Sequence, residues 1–254
     1  MQSSLTMALI SLACISGGIL LGAILRIILP EHHLRDDSKD VVKTAAGLMA
    51  TLCALVLGLL VSSAKSSFDA MNTEVVQSGA KIILLDRVLA RYGPETKEVR
   101  DLLRHTVSDA IERVWPTEKA RVKDLSAVEA NTETEDFHEK IRQLSPQNES
   151  QRSIQSRALQ ISSDLQESRW LLLEQTQGSL PTPLIVILIF WLTVLYVSFG
   201  LFAPRNATAI GALLICALSI SGSIFLIQEL NRPVEGFIKI SSAPLEKALH
   251  VIGK

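Results

Sequence analysis

The sequence predicts an all-α integral membrane protein: four transmembrane helices, with a large helical extramembrane insert between spans two and three. Three observations carry this reading. Four apolar runs are each long enough to cross roughly 30 Å of hydrocarbon at about 1.5 Å per residue. Charge is segregated away from them, since residues 65–180 hold 16 of the 25 Lys and Arg and 19 of the 26 Asp and Glu. The insert itself repeats apolar residues at three- and four-residue steps and shows no strand-like alternation. Segregation explains how 254 residues can be 48% hydrophobic, 20% charged and of mean hydropathy +0.30.

The first span is Leu5 to Leu29, with Arg26 near its end. Met1–Thr6 lacks a basic region and the apolar run is too long for a signal peptide, so the segment is expected to be retained. Gly18-x-x-x-Gly22 within it has the form of a close helix-packing motif. Arg26, near a helix end, is expected to snorkel to the interface. Pro30–Lys43 is a short charged loop, and the second span, Thr44 to Ala64, carries no charge.

Span two has no breaker at its end. Its apolar pattern runs on through Phe68, Met71, Val75, Ile82, Leu85 and Leu89 to Tyr92-Gly93-Pro94, where Gly then Pro stops one helix and starts the next. Val99, Leu102, Leu103, Val107, Ile111 and Val114 make an amphipathic stripe closed by Pro116. Residues 117–133 read as a loop, and Thr132-x-x-Glu135 has capping-box form. Ser145-Pro146 predicts an N-cap and first turn for a helix running to Gly178. Spans three and four are Leu184 to Ala203 and Ala207 to Ile227, joined by a Pro204-Arg205-Asn206 turn. The predicted organisation is therefore 1–64 (spans one and two), 65–180 (helical domain), 181–227 (spans three and four) and 228–254 (a tail with a short helix). Four spans put both termini and the insert on one side of the membrane. Lys and Arg counts flanking the spans nearly balance, so charge does not decide which side.

Composition and motifs exclude several classes. A net charge of −1 gives no basic surface for nucleic acid. Cys14, Cys53 and Cys216 all lie in apolar runs, with no CxxC, so neither a disulfide framework nor a zinc site is expected. No nucleotide-binding, metalloprotease or nucleophile-elbow motif occurs, and no catalytic residue, metal or cofactor is expected. Glu31, His32, His33, Asp36, Asp37 and Asp40 do not follow a calcium-loop pattern and read as a solvated interfacial loop. Asn206-Ala207-Thr208 has sequon form but abuts two spans.

Span two carries the functional signal. At about 100° per residue, Thr44, Gly47, Thr51, Ala54, Gly58, Ser62 and Lys65 share one face, with Asp69 a turn further on. Small residues let helices approach closely, and the same stripe can line a water-filled path; the sequence leaves both open. Leu55, beside the stripe, would then be an apolar constriction that gates by dewetting. Lys65 and Asp69 form an i,i+4 pair that would mark the mouth of such a path.

Several stretches resemble the bacterial bestrophin-like domain proteins. They are residues 29–43 (LPEHHLRDDSKDVVK), 54–69 (ALVLGLLVSSAKSSFD), 84–87 (LLDR), 92–95 (YGPE), 200–208 (GLFAPRNAT) and 240–245 (ISSAPL). The segment from Glu229 through Pro233 and Val234 to Gly236 is similar to the acidic-Pro-Phe-Gly stretch that follows the last span of bestrophin channels, with Val234 in place of Phe. The resemblance implies a homopentamer around a central pore lined by the second spans, in the bacterial inner membrane, with insert and termini in the cytosol. This sequence departs from bestrophins in two ways: the aromatic and isoleucine neck is missing, since span two has no Phe before Phe68, and the acidic tail cluster that clasps calcium in the animal channels is also missing, so calcium gating is not implied.

The expectation is a homo-oligomeric ion channel without enzymatic activity. Thr51, Leu55, Gly58 and Ser62 would line the pore and Lys65 and Asp69 its mouth. Its partners would be further copies of the chain, the lipid bilayer and small inorganic ions. The alternative is a membrane-anchored interaction or sensor protein whose stripe only packs helices. Gly58→Leu separates them: it breaks assembly if the stripe packs, and blocks flux in an intact oligomer if it conducts.

Overall fold

A computed structural model describes residues 2–30, 36–115, 136–177, 182–204, 206–234 and 236–253. Among these there is no strand. Helix α1 is Gln2–Ile28, α2 Asp36–Tyr92, α3 Lys97–Val114, α4 residues 136–142, α5 Glu149–Gln177, α6 Thr182–Phe202, α7 Ala207–Leu230 and α8 Ala243–Val251. The chain divides into two units, Met1–Phe68 with Ser179–Ile238, and Asp69–Gly178 with Lys239–Lys254. Helix α2 belongs to both, because nothing in 57 residues interrupts it.

In the first unit, α1, the first part of α2, α6 and α7 are each long and apolar enough to cross a membrane. They enclose a core of Ile15, Ile19, Cys53, Leu60, Ala64, Leu188, Leu192, Tyr196, Ala217 and Ile224. Helices α1 and α6 run in the same direction, and glycines set their closeness. A Cβ on Gly18 would stand 2.8 Å from the Thr193 carbonyl oxygen; one on Gly22 would collide with the Val197 carbonyl, and one on Gly200 with that of Ile19. The GxxxG spacing thus does what such spacing does in membranes, letting two backbones touch. Pro204 follows the end of α6, and Asn206 opens α7 by accepting the Ala209 N–H at its side-chain oxygen, 2.9 Å away. Helix α7 runs three residues beyond the Ile227 end of the expected span.

In the second unit α2 stops where expected. Gly93 adopts φ 144°, a conformation that glycine takes without steric cost, and Pro94–Thr96 forms a 3₁₀ turn. The buried Thr96 hydroxyl donates to the Leu89 carbonyl at 2.7 Å, satisfying an orphan acceptor at the helix end. The core gathers Leu85, Leu89, Val99, Leu103, Phe137, Ile141, Ala158, Ile161, Ala248 and Ile252. Asp86, fully buried, accepts two hydrogen bonds from Arg100 (2.8 and 3.1 Å) and one from the Gly253 N–H (3.3 Å), tying α2, α3 and the tail together. Trp115 donates from its indole to Ile240 O at 2.8 Å.

Two boundaries differ from the expectation. The Pro30–Lys43 loop is shorter than expected, because α2 begins at Asp36, so that Asp36, Asp37, Asp40 and Lys43 belong to the helix and not to a loop. Helix α5 does not begin at Ser145-Pro146; residues 144–147 are irregular and α5 starts at Glu149. Asn148 is the cap, its side-chain oxygen accepting the Gln151 N–H at 2.8 Å. Gln155 reaches back to the Ile141 and Leu144 carbonyls at 3.0 and 2.8 Å, which holds the α4–α5 connection in a non-helical path. The 117–133 loop, the Thr132–Glu135 box and the His32-His33 loop lie outside the described residues.

Candidate pore-lining face

Helix α2 crosses the first unit with most of its surface unused. Only 17% of its most apolar 18-residue stretch is buried within the chain. What is buried there is a single row, Ala46, Cys53, Leu60 and Ala64, of which Cys53, Leu60 and Ala64 join the core of the first unit. At about 100° per residue this row is centred about 180° from the midline of Thr51, Leu55 and Ser62. The predicted face therefore points away from the core of the first unit.

Each predicted residue is exposed. Thr51, Gly58, Ser62, Lys65 and Asp69 are open, and Leu55 keeps 60% of its surface. A Cβ built on Gly47 or Gly58 would meet nothing within 4 Å, unlike those of Gly18, Gly22 and Gly200. Packing against the chain's own helices is thus not what Gly47 and Gly58 serve, whereas Ala46 and Ala64 lie in the buried row. The Thr51 hydroxyl donates to the Gly47 carbonyl at 3.0 Å, leaving the outer side of its oxygen as an acceptor. Lys65 Nζ lies 5.8 Å from the centroid of the Phe68 ring, a cation–π distance that turns the ammonium along α2. Helix continuity places Asp69 one turn beyond Lys65 on the same side. Among the described residues no group of three or more His, Cys, Asp or Glu could hold a metal ion.

Two polar contacts of the first unit were not legible as pairs. Arg26 does not simply snorkel: its Nη1 donates to Ala203 O at 2.5 Å, closing the C-terminal end of α6. Glu229, buried at the end of α7, accepts the Phe237 N–H at Oε2 (2.5 Å), while its other oxygen has no hydrogen-bond partner among the described residues. Gly236 leaves room for this carboxylate, because a Cβ there would collide with it. The Glu229-to-Gly236 stretch noted in the sequence carried that signal without revealing the contact.

Four apolar helices around one core, continued by a helical extramembrane unit, define a polytopic α-helical membrane protein. The chain belongs to the Bestrophin-like domain family, whose model matches residues 13–245. Two crystal structures of a bacterial Bestrophin homolog from Klebsiella pneumoniae, each carrying one substitution, share its fold. One has a TM-score of 0.62 at 14% identity and covers 93% of this chain and 97% of that one; the other has 0.61 at 13% and 96% of each. No curated protein sequence matches the chain.

Proposed function

We propose that the protein is a homo-oligomeric ion channel whose conduit runs along the outward face of α2. Thr51, Leu55, Gly58 and Ser62 line it, and Lys65 and Asp69 stand at its mouth. The supporting observation is that this face of small and hydroxylated residues lies opposite the buried row of Ala46, Cys53, Leu60 and Ala64 in the same stretch of the helix. One four-span chain does not enclose a conduit, so copies must surround an axis, and membership of the Bestrophin-like family favours five. Hydroxyl oxygens at Thr51 and Ser62 offer partial dehydration without a fixed charge, and a ring of Leu55 side chains supplies an apolar constriction that closes by dewetting. No step of this function calls for a catalytic group or cofactor. The inner membrane of a bacterium, with insert and termini in the cytosol, is the location proposed; thiol labelling of cysteines introduced into the insert of intact cells tests the orientation.

The test is ion flux from proteoliposomes containing the purified oligomer, under potassium, sodium and chloride gradients. Flux above that of empty liposomes, reduced by Ser62→Leu in an intact oligomer, is the expected result. No flux from a monodisperse oligomer under any gradient counts against conduction and returns the protein to the interaction or sensor class. Trp170, 61% exposed on α5, would then be the first place to look for a partner.

A further inference from the structure

Lys65 is exposed just past span two, and Phe68, one turn on, is half-buried. The Phe68 ring packs against the core of the first unit, while the Lys65 ammonium lies over that ring, 5.8 Å from its centroid. Residues three apart are neighbours on a helix. An aromatic side chain there leans back toward the helix N-terminus, which carries the ring onto the turn of Lys65. At about 100° per residue Phe68 stands about 40° from Ala64 of the buried row, about 60° from Lys65 and about 120° from Ser62. The ring thus lies on the side of Lys65 that faces away from the midline of Thr51, Leu55 and Ser62. A lysine stem spreads its charge over many rotamers, whereas phenylalanine has two side-chain torsions, restricted here by the core.

Resting on the channel reading, we infer that Phe68 is the positioning residue of the conduit mouth: its ring holds the Lys65 ammonium back from the ion path. Phe68 itself touches no ion; it acts through Lys65. A cation–π contact at an exposed site favours the docked arrangement by roughly two- to five-fold, which biases the place of the charge without locking it. Cations ringing a mouth raise the local concentration of anions over that of cations, and the effect weakens with distance from the path. Docked on Phe68, the ammonium is felt weakly and leaves the mouth open. Released, it sweeps toward the path and favours anions.

The test measures reversal potentials of the reconstituted full-length oligomer under a potassium chloride gradient, as a double-mutant cycle. Phe68→Leu is expected to raise the chloride-to-potassium permeability ratio by up to about five-fold. Phe68→Tyr, which keeps the ring, should stay at the wild-type ratio, and Phe68→Leu should shift nothing once Lys65→Gln is present. If Phe68→Leu fails to assemble, Phe68→Met makes the same comparison. An unchanged or lower ratio without the ring would overturn the inference, and so would an equal shift with and without Lys65, the mark of a merely structural Phe68. A second readout needs no flux: the rate at which a water-soluble amine reagent labels Lys65 in the purified chain, relative to the other lysines. Loss of the ring should speed it by roughly two- to five-fold, and Phe68→Tyr should not. That acceleration without ion flux keeps the placement of the cation and removes the conduction reading. Equal labelling rates in all these chains overturn the inference whether or not ions move.

Discussion

Arg26 Nη1 donates a 2.5 Å hydrogen bond to the main-chain oxygen of Ala203, so the single cation of the first span terminates the third. The last carbonyls of a helix have no partner within it and carry the negative end of its dipole, and a guanidinium answers both. Close approach at Gly18, Gly22 and Gly200 sets the register that brings the two together.

Replacing Arg26 by Leu is therefore expected to cost about 1.5–3 kcal/mol, the range for a charge-assisted hydrogen bond. Thermal unfolding in detergent measures it. Arg26→Lys should recover part of the loss, and no change with either variant would mean the contact contributes nothing.

Glycines in the spans should divide into two groups. Gly22→Leu puts a side chain into the α6 backbone and is expected to cost about 3 kcal/mol. Gly211→Ala, where a Cβ meets nothing within 4 Å, should be neutral or stabilising by up to about 1 kcal/mol through helix propensity. The same unfolding assay compares them directly.

Gly236→Ala forces a Cβ against the Glu229 carboxylate and to 3.2 Å from the Arg232 carbonyl oxygen. The Glu229–Phe237 hydrogen bond should be lost, leaving a buried carboxylate with neither oxygen paired, at a cost of about 1–3 kcal/mol. Faster proteolysis within 231–240 reports this local opening, and unchanged protection would contradict it.

Asp86→Ala removes the acceptor shared by Arg100 and the Gly253 N–H. Arg100 retains 18% of its side-chain exposure and so keeps some hydration, which puts the expected loss near the lower end for a buried pair, about 3 kcal/mol. Hydrogen exchange should accelerate in α3 and α8 before it does in α1 or α6.

Local rules read from the sequence located most helices. The apolar pattern through Leu89, stopped by Gly93 and Pro94, located the C-terminal end of α2, while its charged first turns from Asp36 read as a loop; the Gly18–Gly22 spacing marked a close contact. Ser145-Pro146 misled because a short-range cap signal competes with others: Asn148 caps equally well, and Gln155, ten residues on, decides between them by binding the α4 carbonyls. Arg26 with Ala203 and Asp86 with Arg100 depend on which helices meet, which periodicity along one helix does not reveal. The same holds for the candidate face. Its residues share a side of α2 by spacing alone, but that this side lies opposite the core of the first unit became visible only when Cys53, Leu60 and Ala64 were seen packed.

The central claim is that ions move past Thr51, Leu55 and Ser62. Cysteine accessibility during conduction tests it most directly, in the chain with Cys14 and Cys216 replaced and the buried Cys53 changed to Ala. A small water-soluble, charged thiol reagent should change the current through Leu55→Cys and Ser62→Cys channels, and leave Leu52→Cys channels unaffected. Currents altered at Leu52 but not at Leu55 or Ser62 would place the conduit on another face of α2 and contradict the account.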